Sequence, residues 1–312
     1  MASNLQNTLK KIQTSEVREL LWCIGSPALL YQNPSKGRFQ FLTQDWYDAS
    51  WQNRIDWIFE LDQNPKPLID FLKSDHKQLL GKRFEKLIHF WLDHHPRIKL
   101  LAQGVQVFEG KKTIGEVDFL FKDLDSGITY HLEVACKFYL SSNNSGQWKD
   151  FIGPNGKDRL LYKMNKTHEQ LDLFNQEPAQ FILRDHSAAK PTPVLMIKGA
   201  LFYHPNAIAK AKPPKWASKT YHSGWFLKVN ELNLLSKEAN WLVLNKQQWL
   251  TTVHENHAQE ILSTSQLIDY MQTHFKKNKY ALSVAQVIDL GDGFDEISRG
   301  FVVHASWPEP RN

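Results

Sequence analysis

"GEVDFLFKDLDSGITYHLEVACKFYL", residues 115–140, places two carboxylates on one apolar run and a third, with a lysine, on the next. Both runs have strand composition, and "DLDSG" between them is a turn signal, so the stretch predicts a β-hairpin. Successive side chains of a strand point to opposite faces, so Glu116 and Asp118 share one face of the first strand. His131, Glu133, Ala135 and Lys137 share one face of the second. Pairing the strands lets Asp118 and Glu133 meet on one surface. Charged groups are rarely buried unless they are paired or bind a cation. The hairpin therefore calls for either a salt-bridge network, with Lys137 or Lys122 as partner, or a metal ion.

Two neighbouring carboxylates raise each other's pKa unless a divalent cation sits between them. Hard oxygen ligands without a nearby cysteine or clustered histidines favour Mg2+ or Mn2+ over zinc. Such an ion activates water and stabilises charge on a phosphoryl oxygen. A lysine beside it holds the water or the phosphate. Upstream, "KQLLGKRFEKLIHFWLDHH" (77–95) carries Phe84, Leu87, Ile88, Trp91 and Leu92 at helical spacing, and Pro96 ends it. Glu85 lies at the edge of that stripe and is expected to look toward the sheet. His89 falls further round, on the solvent side.

A helix with an inward Glu, then "GE-x-D", then "E-V-x-x-K", resembles the PD-(D/E)XK nuclease superfamily. The wider frame of "VRELLWCIGSPALL", "GKRFEKLIHFWL", "EVACKFYL", "GPNGKDRL" and "RGFVVHASWP" is similar to an uncharacterised bacterial family placed in that superfamily. The nuclease motifs cover about residues 80–175, and the family frame runs nearly end to end. The resemblance implies an α/β, restriction-endonuclease-like core: a mixed β-sheet flanked by helices, with an N-terminal helical and a C-terminal mixed α+β extension. It also implies Mg2+- or Mn2+-dependent hydrolysis of DNA or RNA, with Glu85, Asp118 and Glu133 as metal ligands.

The lysine departs from the pattern. The usual position holds Ala135, and Lys137 lies about 13 Å along the strand from Glu133 instead of about 6.6 Å, at roughly 3.3 Å per residue. On the next helix, "KDRLLYKMNKTHEQLDLF" (157–174), Arg159, Lys163, Lys166 and Gln170 cluster beside the apolar stripe. Lys163 can take the missing lysine's place, with Arg159, Lys166 and Gln170 on the phosphate backbone. A solvated helix face is the plainer reading. The second functional reading is a catalytically degenerate module that binds nucleic acid or a protein partner. The third is an ion-pair network with no ligand.

The remaining features set bounds. A chain of 312 residues, 42% hydrophobic and 23% charged, has the composition of a globular protein with room for more than one domain. Its breakers suggest a helical region over 1–75, the nuclease-like core over 76–205 and a mixed extension over 206–312. A net charge of +5 permits a polyanionic partner without requiring one. Cys23 and Cys136 cannot build a disulfide framework or a zinc ribbon. With no apolar leader and no apolar run long enough to span a membrane, the expected location is the cytoplasm. "HENH" (254–257) lacks zinc-protease spacing, and "GDGFDE" (291–296) lacks alternating calcium ligands. A loop of about sixteen residues after the hairpin is long enough to be functional or mobile. "KAKPPKWASK" (210–219) combines lysines with Trp216, a combination suited to gripping a phosphate backbone while the ring stacks a base.

Overall fold

The computed structural model describes residues 2–31, 39–73, 79–255, 260–291 and 293–309. It is a mixed α/β protein with helices flanking β-sheet. The chain divides into two compact units, each assembled from separated segments. The first comprises residues 1–136, 163–198 and 218–220, and the second 137–162, 199–217 and 221–312. Among the described residues no helix is long and apolar enough to cross a membrane.

In the first unit the hairpin forms as its alternation requires. Strand Lys112–Asp123 runs antiparallel to Ile98–Glu109 on one side and to Thr129–Ser141 on the other. The turn is closed by Asp123, whose Oδ1 accepts from the backbone N–H of Asp125 and Ser126, and by Gly127 at φ +70°. Strand Thr192–Tyr203 lies beside Thr129–Ser141 and takes the short parallel strand Gln40–Phe41. Ala102, Val107, Val117 and Leu120 pack one side of this sheet against Leu173, Phe174, Ile182 and Leu183.

Helix Leu80–Asp93 buries Phe84, Leu87, Ile88, Phe90, Trp91 and Leu92, matching the apolar stripe. The expected start near Lys77 lies outside the described residues, as does the "NPSKG" breaker at 33–37. Helix Ser15–Gly25 is tied to Leu80–Asp93 by a buried ion pair, Arg83 Nε to Glu19 Oε2 at 2.5 Å. Its N-cap is Thr14, and the Asp62 carboxylate accepts the backbone N–H groups of Gln13 and Thr14. His89 is half-buried instead of solvated. Its ring meets Phe71 edge-on at 5.2 Å, and burial pushes its pKa down.

In the second unit, Ala200–Tyr203 pairs in parallel with strand His222–Lys228, which pairs in parallel with Phe294–Val303. Leu282–Asp289 and Asn240–Leu244 extend this sheet antiparallel. Helix Thr264–Lys277, capped by Ser263 with Gln266 returning the bond, lays Leu267, Met271 and Phe275 on Trp241, Val284 and Val302. The segment after the hairpin, expected as a structureless loop, contains a 3-10 turn (Trp148–Asp150) and a short strand (Phe151–Ile152) paired with Leu140 and Ser141.

Candidate functional site

The antiparallel ladder between the two strands ends at Phe119↔Leu132, so Asp118 and Glu133 lie immediately beyond its last pair. There a side chain replaces the main-chain ladder. Asp118 Oδ2 accepts the Val134 N–H at 3.0 Å, which fixes this acid against the strand that carries Glu133. Glu133 is buried, 3% exposed, and Asp118 is half-buried.

Burial raises both carboxyls, each to about 7. The Glu133 charge and, more weakly, Glu85 push Asp118 further up, while the Val134 hydrogen bond and Lys163 pull it back. For Glu133, Lys163 is the largest opposing influence, and Glu116 and Glu85 add repulsion. Glu85 therefore sits within electrostatic reach of both acids, as its place on the helix suggests, and so does Lys163. His131 is fully buried, and burial lowers its pKa to about 4. As a neutral ring it donates Nε2–H to Glu133 Oε1 at 3.2 Å, fixing the carboxyl's orientation.

Two further lysines, one beside these acids and one elsewhere in the first unit, are not picked out by strand or helix periodicity. Lys82, one turn before Glu85, places Nζ 2.6 Å from Glu85 Oε2 and 3.6 Å from Glu116 Oε1. Its (i, i+3) spacing to Glu85 is the only signal in the sequence that could have found it. Lys198 is fully buried. It donates to the Ser26 carbonyl, lies 3.4 Å over the Tyr47 ring, and is pushed down to about 7 by burial. Cys23 and Cys136 are both buried, and both act electrostatically on this lysine. No pattern in an apolar strand announces it.

The other expected residues are placed as follows. Gln170, on helix Leu160–Leu171, accepts the Glu116 N–H at 3.0 Å, so it positions the strand bearing the acids. Lys166 is exposed on the same helix. Lys137 belongs to the second unit, where its ammonium pairs with Asp158 Oδ2 at 2.6 Å. Arg159, also in that unit, donates to the Lys149 carbonyl at 3.0 Å. Ala135 is buried, at the strand position the nuclease pattern gives to lysine.

Asp118 and Glu133 are hard oxygen donors, the class of ligand that Mg2+ and Mn2+ prefer. Among the described residues, no three His, Cys, Asp or Glu side chains are grouped so as to hold a metal ion. The third acid, Glu85, is taken up by Lys82. The molecule is thus a mixed α/β protein whose first unit carries an acid–lysine group on a hairpin and two helices. The chain belongs to the family described as a domain of unknown function (DUF1853), whose model matches residues 18–303. No curated protein and no solved structure gives a significant match.

Proposed function

We propose that the first unit is a nucleic-acid-binding module on a PD-(D/E)XK-like frame, gripping the phosphate backbone through one hard divalent cation held by Asp118 and Glu133. The observation that carries this reading is two carboxylates set together where the ladder ends, Asp118 held by the Val134 N–H of Glu133's strand, with burial raising both to about 7. A cation between them relieves both desolvation and repulsion, and its remaining coordination positions suit phosphate oxygens. Lys163 acts on the same two acids, which sets a positive charge beside the phosphate. Two acids in reach of one ion, with Glu85 held by Lys82 and Ala135 at the usual lysine position, support binding better than turnover.

Binding of labelled DNA and RNA in Mg2+ and in EDTA tests this. Magnesium should tighten binding by about tenfold, the equivalent of about 1.4 kcal/mol, and Asp118→Asn or Glu133→Gln should remove the gain. An equal magnesium effect in wild type and variants would refute it.

Phosphodiester hydrolysis is the second reading, and the placement of Lys163 favours it. In this reading a metal ion held by Asp118 and Glu133 would supply Lewis-acid stabilisation of the phosphate. Lys163 would orient the attacking water and Glu133, oriented by His131, would accept its proton, while the P–O ester bond breaks and the leaving oxygen takes a proton from solvent. Cleavage of a labelled strand in Mn2+, lost in Lys163→Ala, would select this reading over binding alone.

A further inference from the structure

In the second unit two segments distant in sequence clasp each other through tryptophan. The Trp148 and Trp216 rings meet edge-to-face with centroids 5.0 Å apart. Trp148 Nε1 donates to the Lys215 carbonyl at 2.9 Å, which ties the turn carrying Trp148 to residues 211–217. Gly146, at φ +75°, lets the backbones approach so closely that a Cβ there would come within 2.8 Å of the Pro213 carbonyl oxygen. The arrangement is built rather than incidental, yet both rings remain half-exposed.

Trp216 adopts φ +68°, a conformation that a bulky side chain rarely takes and that persists only where its surroundings enforce it. The same two segments carry exposed Lys149, Lys212 and Lys215, and Lys215 Nζ lies over the Trp216 ring, 5.0 Å from its centroid. The nearby acid, Asp150, accepts a hydrogen bond from Ser145 Oγ.

A rigid aromatic face flanked by mobile ammonium groups matches a chain that alternates π faces with phosphates. We propose that Trp148 and Trp216, with Lys149, Lys212 and Lys215, form a binding surface for single-stranded nucleic acid. A base stacks on Trp216, and the lysines contact the flanking phosphates. The surface shares no side chain with the acid pair and rests on the reading above only for the chemical class of the partner. A duplex, whose bases are already stacked on one another, cannot use it.

The test is fluorescence anisotropy with the full chain in EDTA, which silences the cation site. The probes are a thymine strand of about 15 nucleotides, an abasic strand of equal length and a duplex. The thymine strand should bind about tenfold tighter than the abasic strand, and Trp216→Leu should abolish that preference. Lys212→Ala should weaken both strands alike and reduce the salt slope by about one. Equal affinity for thymine and abasic strands in the wild type overturns the proposal without any variant, as does a preference for duplex. Competition by polyglutamate as effective as that by the thymine strand also overturns it, by reducing the surface to a charge patch. A base preference that survives in EDTA supports this surface even if Asp118→Asn shows the cation site to be wrong.

Discussion

Asp118→Asn should make the protein more stable at pH 8 and leave it unchanged at pH 4. The Asp118 carboxyl stands at about 7 in the folded state, against an ordinary value of 3.8. A native pKa above the unfolded one means that the folded chain binds the extra proton between those values. Stability from this group is therefore full below about pH 4 and is lost as pH rises through 7. Three units at about 1.36 kcal/mol each set a ceiling of about 4 kcal/mol. Because Asp118 is half-open to solvent and Glu133 ionises more readily once its neighbour is neutral, about 1–3 kcal/mol should be realised. Asparagine keeps the carbonyl that accepts the Val134 N–H and removes the charge. Thermal melting of wild type and variant across pH 4–8 reads the difference directly. Adding Mg2+ at pH 8 should then stabilise the wild type, by about 2.7 kcal/mol at a hundred times its Kd, and leave the variant behind. A variant less stable than wild type at pH 8, or a difference equal at every pH, would refute the electrostatic account of this pair.

Lys163→Ala should lower nucleic-acid affinity in Mg2+ and make the wild type's pH-dependent loss of stability steeper, since its charge holds both acids down. Lys137→Ala should leave Mg2+-dependent binding unchanged and cost stability through the unpaired Asp158; a reversed pattern in the two binding curves would mean that Lys137 is the functional lysine. Gly199→Ala should abolish folding or cost more than about 4 kcal/mol, because Gly199 sits at φ +132° and a Cβ would lie 1.7 Å from the Lys137 carbonyl oxygen. Soluble expression with an unshifted melting temperature would contradict that.

The hairpin was legible because its signal is local. Strand alternation has a period of two, so once "DLDSG" marks the turn, the faces of Glu116, Asp118, His131 and Glu133 follow without further information. The same holds for Glu85, whose angular place beside the apolar stripe sets its direction. His89 was misread because periodicity describes a helix alone, and it was the packing of Phe71 that covered the ring. The loop at 141–156 reads as structureless because its order comes from partners distant in the chain. Trp148 is held by Lys215, and Gly146 by the backbone at Pro213.

The amino-acid order by itself determined which side chains share a strand face and which helix edge is acidic, since these depend only on residue spacing. It also set the departure at Ala135. Tertiary structure alone decided which lysine serves which acid. Lys82 goes to Glu85 and Glu116, Lys163 acts on Asp118 and Glu133, and Lys137 pairs with Asp158. It likewise drew two compact units from interleaved segments and sealed Lys198 away from water. The reason is physical. A long, flexible cationic side chain takes its partner from how helices pack against sheets, and burial is a property of the whole core that no local period encodes.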